Sequence, residues 1–184
     1  MNQTQDFTKG VIWKQLLFFF FPILIGSFFQ QLYNTVDTII VGQTVGTSAL
    51  AAVGSTGNLT NLIINFYVGL STGASVVIAQ YYGAQNNKKI HQAVHTSYIL
   101  AIVSGILMML FGLFFSYQCL DAIGTPHDIL NDATLYMQLY FLCMIPGAIY
   151  NIGAGILRAV GDSKRPLYYL IVCSIVNVVF DFIF

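Results

Sequence analysis

Residues 14–41 read KQLLFFFFPILIGSFFQQLYNTVDTIIV, and this stretch decides the fold. Between Lys14 and Lys88 the chain carries one charged residue, Asp37. About 20 apolar residues in a helix are enough to cross the ~30 Å hydrocarbon core of a bilayer. The stretch therefore predicts a membrane-spanning helix with one acid inside it.

The composition of the whole chain agrees with a membrane environment. Of its 184 residues 57% are hydrophobic and 8% are charged, and the mean hydropathy is +0.74. A soluble domain carries about 25% charged residues, so this chain could not cover its surface in water. The formal net charge is zero, which argues against a nucleic-acid partner and leaves the lipid bilayer as the surrounding partner.

Four further apolar stretches follow the first, separated by short connectors that contain Gly, Pro or Asn. Together they predict an all-α membrane protein, a helical bundle of five transmembrane helices. The predicted spans are residues 14–41, 50–82, 93–120, 129–157 and 167–184.

The basic residues predict the orientation of these spans. If the spans alternate in direction, all seven Lys and Arg residues fall on one side of the membrane. The loop at residues 119–132 falls on the other side and holds Asp121, Asp128 and Asp132. Because positively charged loops stay in the cytoplasm, residues 1–13 are predicted to form a cytoplasmic N-terminal segment.

Both ends of the chain have a second interpretation. A cleaved signal peptide would also place Lys14 before an apolar run, but no small-residue cleavage site follows Phe29, so we predict an uncleaved first span. The fifth span is still apolar at Phe184, without a polar residue to anchor it. We therefore expect the chain to be a fragment of a longer protein.

Polar residues inside the spans gather on helical faces. Residues three or four apart share one face of a helix, and amides on such a face lose hydrogen bonds if they point to lipid. Proline lacks a backbone N–H, so Pro22 predicts a kink in the first span and Pro146 one in the fourth. The faces comprise Gln30, Asn34 and Asp37; Asn58, Asn61 and Asn65; Tyr136, Tyr140, Gly147 and Asn151; and Asn177 with Asp181.

The two acids within spans, Asp37 and Asp181, predict a site for a proton or cation. An ionised carboxylate at mid-membrane costs about 2.5–3.5 kcal/mol, so intramembrane acids are usually functional. Counting residues puts both in the outer half of the bilayer, and we expect the first and fifth spans to be neighbours with these carboxylates within about 10 Å of each other. The alternative is that each acid reaches the outer surface. For Asn58, Asn61 and Asn65 the alternative is helix–helix contact.

Other residues predict less specific chemistry. His91 and His95 could share one metal from a helix face, but beside Lys88 and Lys89 they are interpreted as a solvated helix end. Cys119, Cys143 and Cys173 are too far apart for a metal motif and are predicted to be small buried apolar residues. No nucleotide-binding or hydrolase motif is present, so no enzyme activity and no cofactor is predicted.

Four segments of the chain together carry a family resemblance. They are QLYNTVDTIIVG at residues 31–42, AQYYGA at 79–84, RAVGDSKRP at 158–166, and Asn177-x-x-x-Asp181. In this order they resemble the N-terminal lobe of the multidrug and toxic compound extrusion (MATE) transporters, and the resemblance extends over nearly the whole chain. A bacterial DinF-type branch is favoured over the eukaryotic one.

The resemblance implies an incomplete six-helix N-lobe of a twelve-helix transporter, the C-terminal lobe being missing. It implies a multi-pass protein of the bacterial inner membrane that exports organic, often cationic compounds in exchange for H⁺ or Na⁺. Asp37 and Asp181 would then belong to the H⁺- or Na⁺-coupling site, surrounded by Asn177, Asn151 and Tyr136. Pro22 would match the position at which the first span bends in some members. The polar residues expected to line the cavity are Gln30, Asn34, Asn58, Asn61, Asn65 and Tyr140.

Three functions are alternatives to antiport. A flippase for lipid-linked precursors would need basic residues around pyrophosphate, and no Lys or Arg lies within a predicted span. An intramembrane aspartyl enzyme would need catalytic motifs that do not surround Asp37 or Asp181. A membrane scaffold without transport activity is the third.

Overall fold

The computed structural model describes residues 11–44 and 47–183. Within that part, the side chains of residues 12, 33, 37, 41–44, 47–50 and 181–183 lie outside the description. The described chain is helical throughout, apart from short connections. Its helices are α1 (Ile12–Thr44), α2 (Thr47–Gly83), α3 (Asn87–Ala122), α4 (Leu130–Leu142), α5 (Met144–Ala159) and α6 (Lys164–Ile183).

These helices overlap the five predicted spans. Among the described residues three single helices, α1 to α3, are long and apolar enough to cross a membrane. The consecutive helices α4 and α5, bent by 50° at their junction, are together apolar and long enough to be either a fourth, broken span or a re-entrant pair. The helix α6 corresponds to the fifth predicted span, but it is not among the helices that meet this criterion. It begins with Lys164 and Arg165, so its apolar part is short within the described residues.

The bend in the fourth span falls at Cys143, between α4 and α5. Pro146 has no N–H to donate to the carbonyl of Leu142, four residues earlier, and its ring crowds that carbonyl. The disruption therefore appears one turn before the proline. The helix α1, by contrast, continues through Pro22 without interruption.

The core of the lobe lies among α2, α3, α4 and α5. One face of α3 is made mostly of small buried residues, and the larger side chains of α4 and α5 pack against it. Gly105 lies against Ile145, and Gly112 lies directly beneath the ring of Phe141. Small residues on one helix allow the backbones to approach closely, which is how helices associate in lipid.

The helix α1 stands apart from this four-helix core. Gly26 is its single buried residue among those described, and it packs beside Leu167 and Leu170 of α6. The helix α1 packs mainly against α6 and less against α2, and α6 meets the core mainly through α5. The described part of the chain therefore consists of a four-helix core, α2 to α5, and an α1–α6 pair beside it.

Two connections end a helix in the same way. Gly124 after α3 and Gly161 after α5 have φ values of +79° and +84°, a conformation that favours glycine. The next residue in each case donates its N–H back to the helix, Thr125 to the carbonyl of Leu120 at 3.1 Å and Asp162 to that of Leu157 at 2.9 Å. These turns are compact, so they fix the starts of α4 and α6.

The predicted burial of the cysteines was wrong for two of the three. Cys143 and Cys173 are exposed, and Cys119 is partly buried. In a bundle whose solvent is lipid, an apolar residue has no need to face the interior, so apolar surroundings in the sequence do not predict burial. His91 and His95 are both exposed at the start of α3.

Candidate functional site: a polar cleft beside the core

A cleft of about 640 Å³ separates the α1–α6 pair from α2 and α5. Each helix contributes residues spaced three or four apart, so one face of each helix points into the cleft. The lining residues are Pro22, Ile23, Gly26, Ser27 and Gln30 of α1; Ile64 and Val68 of α2; Tyr140 of α4; Tyr150, Asn151, Ala154 and Arg158 of α5; Ser163 of the α5–α6 turn; and Pro166, Leu167, Leu170, Cys173, Ser174 and Asn177 of α6.

Five of the predicted site residues meet in this cleft: Pro22, Gln30, Tyr140, Asn151 and Asn177. They come from α1, α4, α5 and α6. Residue spacing predicts which face of its own helix each one occupies, but only the packing of the helices shows that these faces meet. Polar side chains at a shared cleft between apolar helices can interact with a polar ligand without facing lipid.

Asn151 is held firmly by two hydrogen bonds. Its side-chain Nδ2 donates to the carbonyl of Gly147 at 2.9 Å, and its own carbonyl accepts from Ser71 Oγ at 2.6 Å. The second bond joins α5 to α2. The sequence did not single out Ser71, although it lies on the buried face of α2 with Ile63 and Tyr67, at spacings of four residues.

The side chain of Asn177, unlike that of Asn151, has an oxygen without a hydrogen-bond partner among the described residues. Its side-chain Oδ1 is buried, and no donor among the described residues lies within hydrogen-bond distance of it. A buried acceptor of this kind costs about 1–3 kcal/mol unless a donor reaches it. Asn177 therefore presents an acceptor at the cleft, one helical turn before Asp181 on α6.

The side chains of Asp37 and Asp181 lie outside the described part of the structure. The predicted distance between their carboxylates therefore stays a prediction. Their helices are described: α1 and α6 pack against each other, as a shared site requires. Asp37 is two turns beyond Gln30 on α1, and Asp181 one turn beyond Asn177 on α6. Both acids therefore follow a cleft-lining amide along their helices.

Five other predicted residues do not line the cleft. Asn58, Asn61 and Asn65 are exposed along one side of α2, where Asn65 Nδ2 donates to the carbonyl of Asn61 at 2.9 Å. Asn34 is exposed on α1. Tyr136 is 36% exposed on α4, and the side chain of α4 that reaches the cleft is Tyr140, one turn further along.

Arg158 is the charged residue that lines the cleft, and the sequence did not predict it there. It is the second-to-last residue of α5, so it counted as part of a loop rather than of a span. It lies seven residues after Asn151, which is two helical turns on the same face. That spacing is the signal that could have placed it in the cleft.

The fold and its site define an all-α membrane bundle with a polar cleft between two sets of helices. The sequence model of the MatE family matches residues 22–183, and the chain belongs to this family. The chain spans about two fifths of the length of the relatives and solved transporters that it matches. It corresponds to the N-terminal lobe of those structures.

Curated relatives come from bacteria. The chain is 31% identical over 175 residues to the "Probable multidrug resistance protein YoeA" of Bacillus subtilis (strain 168), covering 95% of this chain and 38% of that protein. It is 28% identical to the "Probable multidrug resistance protein YpnP" of the same strain, with 95% and 39% covered. A "FAD transporter" of Shewanella oneidensis is 24% identical, with 98% and 40% covered.

Solved structures agree with this assignment. A "Crystal structure of MATE in complex with MaL6" superposes with a TM-score of 0.90 at 27% identity, covering 98% of this chain and 40% of that one. An "Outward-facing conformation of a multidrug resistance MATE family transporter of the MOP superfamily" gives a TM-score of 0.85 at 28% identity, with 91% and 37% covered.

Proposed function

We propose that this chain is the N-terminal lobe of a secondary active multidrug efflux antiporter. The complete transporter exports organic, often cationic compounds from a bacterial cell across the inner membrane, in exchange for H⁺ or Na⁺. The family and the names of the relatives support a transporter rather than an enzyme. A C-terminal lobe is the partner that this proposal requires, because one lobe supplies one wall of a central cavity.

The observation that carries the proposal is the polar cleft. Gln30, Asn151 and Asn177 meet between apolar helices, and Asn177 presents a buried acceptor there. In hydrocarbon each unsatisfied polar group costs several kcal/mol, so a chain retains such a cluster where it binds a polar ligand or ion. The acids Asp37 and Asp181 follow this cluster along α1 and α6.

The coupling step proposed here is the titration of Asp37 and Asp181. Two nearby carboxylates in a medium of low polarity repel each other, so the pair retains a proton or binds Na⁺. Binding of H⁺ or Na⁺ favours one arrangement of the helices over another, and release on the other side of the membrane resets it. One charge moving down 100 mV supplies about 2.3 kcal/mol, which sustains roughly a fifty-fold gradient of a neutral substrate.

The exposed amides of α2 supply a second part of the proposed cavity. Asn58, Asn61 and Asn65 form a polar strip on the outside of the lobe. Such a strip is costly against lipid, and it suits a surface that faces a watered cavity shared with a second lobe. We propose that these amides, with Asn34, contact the transported compound.

The test is drug export by cells that produce the full-length transporter carrying Asp37→Asn or Asp181→Asn. Each change keeps the size of the side chain and removes the titrating proton, so export should fall at least tenfold. Asp128→Asn is the matched control, because Asp128 is an exposed loop acid and the same chemical change there should leave export unchanged. Export at the normal rate in both span variants would disprove the coupling role.

The coupling ion is identified by reconstitution. Proteoliposomes with an imposed pH gradient, or an imposed Na⁺ gradient at constant pH, should drive uptake of a fluorescent organic cation with one of the two ions. A scaffold would respond to neither gradient. A lipid flippase would instead move a fluorescent lipid analogue between leaflets while leaving the organic cation in place.

A further inference from the structure

The cleft has a basic group at the end where α5 meets α6. Arg158 and Ser163 line it there, close to Pro166 of the first turn of α6. Arg158 is partly buried, and among the described residues its guanidinium makes no ion pair. This is the end of the lobe that the distribution of Lys and Arg assigns to the cytoplasm.

The nearest acid in the sequence is already engaged elsewhere. The carboxylate of Asp162 is 3% exposed, and its Oδ1 accepts the backbone N–H groups of Lys164 at 3.2 Å and Arg165 at 3.1 Å. Its Oδ2 lies 3.1 Å from Nε of Arg165. Asp162 therefore caps the start of α6 and pairs with Arg165, so its charge is already balanced without Arg158.

The acids of the proposed coupling site lie too far away to balance Arg158. Asp181 is 17 residues beyond Lys164 along α6, which corresponds to about 25 Å at 1.5 Å per residue. Asp37 follows Gln30 on α1 toward that same end. The described cleft thus runs from Arg158 at one end to Gln30 and Asn177 near the other, and Asp37 and Asp181 come later along the same two helices.

A partly buried arginine that pairs with no acid among the described residues favours an anionic ligand. Its planar donors match the two oxygens of a carboxylate or phosphate, and such charge-assisted pairs are about twice as strong as neutral hydrogen bonds. The hydroxyl of Ser163 lines the same end and can donate a further hydrogen bond. The apolar walls formed by Leu167, Leu170 and Ile23 suit the body of an amphiphile.

We propose that Arg158 forms an oxyanion site at the cytoplasmic end of the cleft, which binds the carboxylate or phosphate of an amphiphilic molecule. The inference rests on the proposed transport function and narrows its substrate class. Compounds that carry a carboxylate beside their cationic group enter through this site, whereas purely cationic compounds do not use it. A phospholipid headgroup offers the same oxyanion chemistry, and the experiment separates these two sources.

Two dyes that differ by one methyl ester provide the test. Rhodamine 110 has a free carboxylate, and rhodamine 123 is its methyl ester. Both are measured on the full-length transporter, by uptake into proteoliposomes and by equilibrium binding in detergent from fluorescence polarisation. The variants are Arg158→Gln and Arg158→Lys, with Lys164→Gln as the control that removes an exposed charge outside the cleft on the same side of the membrane.

Arg158→Gln should weaken the binding and uptake of rhodamine 110 about tenfold. The same variant should change the binding and uptake of rhodamine 123 less than twofold. Arg158→Lys should lie between Arg158→Gln and the wild type, because an ammonium keeps the charge but lacks the planar fork. Lys164→Gln should match the wild type with both dyes. If the oxyanion is instead a lipid phosphate, adding phosphatidylglycerol to neutral vesicles should stimulate wild-type uptake of both dyes equally, and Arg158→Gln should abolish that stimulation.

Equal changes for the two dyes, with no altered response to phosphatidylglycerol, would overturn the oxyanion site. That outcome would leave Arg158 as a charge that merely orients the helices, and Arg158→Lys would then behave as the wild type. The proposed transport function fails in a different way, by loss of gradient-driven uptake of both dyes in the wild type. The binding comparison in detergent still decides the role of Arg158 in that case.

Discussion

Replacing Gly155 by alanine should loosen the contact between α2 and α5. A methyl group at Gly155 would overlap Ser71 Oγ, and it would lie 2.7 Å from Ser75 Oγ and 3.1 Å from the carbonyl oxygen of Ser71. The first of these groups donates the hydrogen bond to the carbonyl of Asn151. The new methyl group therefore must displace a hydrogen-bonded hydroxyl and also press on backbone, which has little freedom to move.

The expected cost can be worked from three contributions. Adding a methyl group to a closely packed site costs about 1–3 kcal/mol. Loss of the hydrogen bond from Ser71 adds about 0.6 kcal/mol, the average for such bonds between membrane helices. Alanine has a higher helix propensity than glycine by up to ~1 kcal/mol, which offsets part of the loss. The net destabilisation is roughly 1–3 kcal/mol.

Gly147 supplies the matched control on the same helix. No neighbouring atom lies within 4 Å of the position where its Cβ would stand, so Gly147→Ala should show only the gain in helix propensity. The two variants should thus differ by about 2–4 kcal/mol. The measurement heats the purified full-length transporter in detergent and follows the fraction that stays monodisperse by size-exclusion chromatography.

The double variant Ser71→Ala/Gly155→Ala tests the cause. Removing the hydroxyl relieves the worst overlap, so the double variant should be more stable than the sum of the two single changes predicts, by at least ~0.5 kcal/mol. Additive losses would show that the overlap with Ser71 is not the reason. Equal stability of Gly155→Ala and Gly147→Ala would refute the close approach of α2 and α5 altogether.

Two more changes test the packing that positions the cleft. Asp162→Ala removes the carboxylate that caps α6, so it should lower the stability of the protein by about 0.5–2 kcal/mol and speed amide hydrogen exchange at Lys164 and Arg165. Asp162→Asn keeps an acceptor oxygen and should lower the stability less. Unaltered exchange in both variants would contradict the cap. Gly112→Ala would push a methyl group into the ring of Phe141 and should lower the thermal stability by about 1–3 kcal/mol; adding Phe141→Leu should recover part of the loss, and a lack of recovery would show that this ring is not the obstacle.

Sequence reasoning predicted the helices well because lipid leaves a backbone few other choices. It predicted the disruption in the fourth span less well. The proline at Pro146 was recognised as the cause, but the break appears at Cys143, since the missing hydrogen bond belongs to the carbonyl of Leu142 one turn earlier. At Pro146 the proline signal therefore marks the turn that precedes it, whereas α1 continues through Pro22.

The site was predicted as faces of separate helices, and only the packing decided which faces meet. Gln30 and Asn34 are one turn apart on α1, yet the cleft lining on that helix ends at Gln30. Arg158 was missed because a charge near a helix end is counted with the loop. Spacing along one helix predicts which way a side chain points. Which helix that side chain meets depends on contacts between residues far apart in the sequence.

The separation of α1 from the four-helix core has a consequence for synthesis of the protein. Gly26 packs against Leu167 and Leu170, which the ribosome adds about 140 residues later. At about 5–20 residues per second, α1 waits roughly 7–28 s in the membrane before α6 arrives. Throughout that interval it must persist in the membrane without α6, which suits a helix whose exposed side chains from Leu16 to Phe29 are apolar except for Ser27. The α2–α5 core can meanwhile assemble without it, so the cleft closes only after that core has formed.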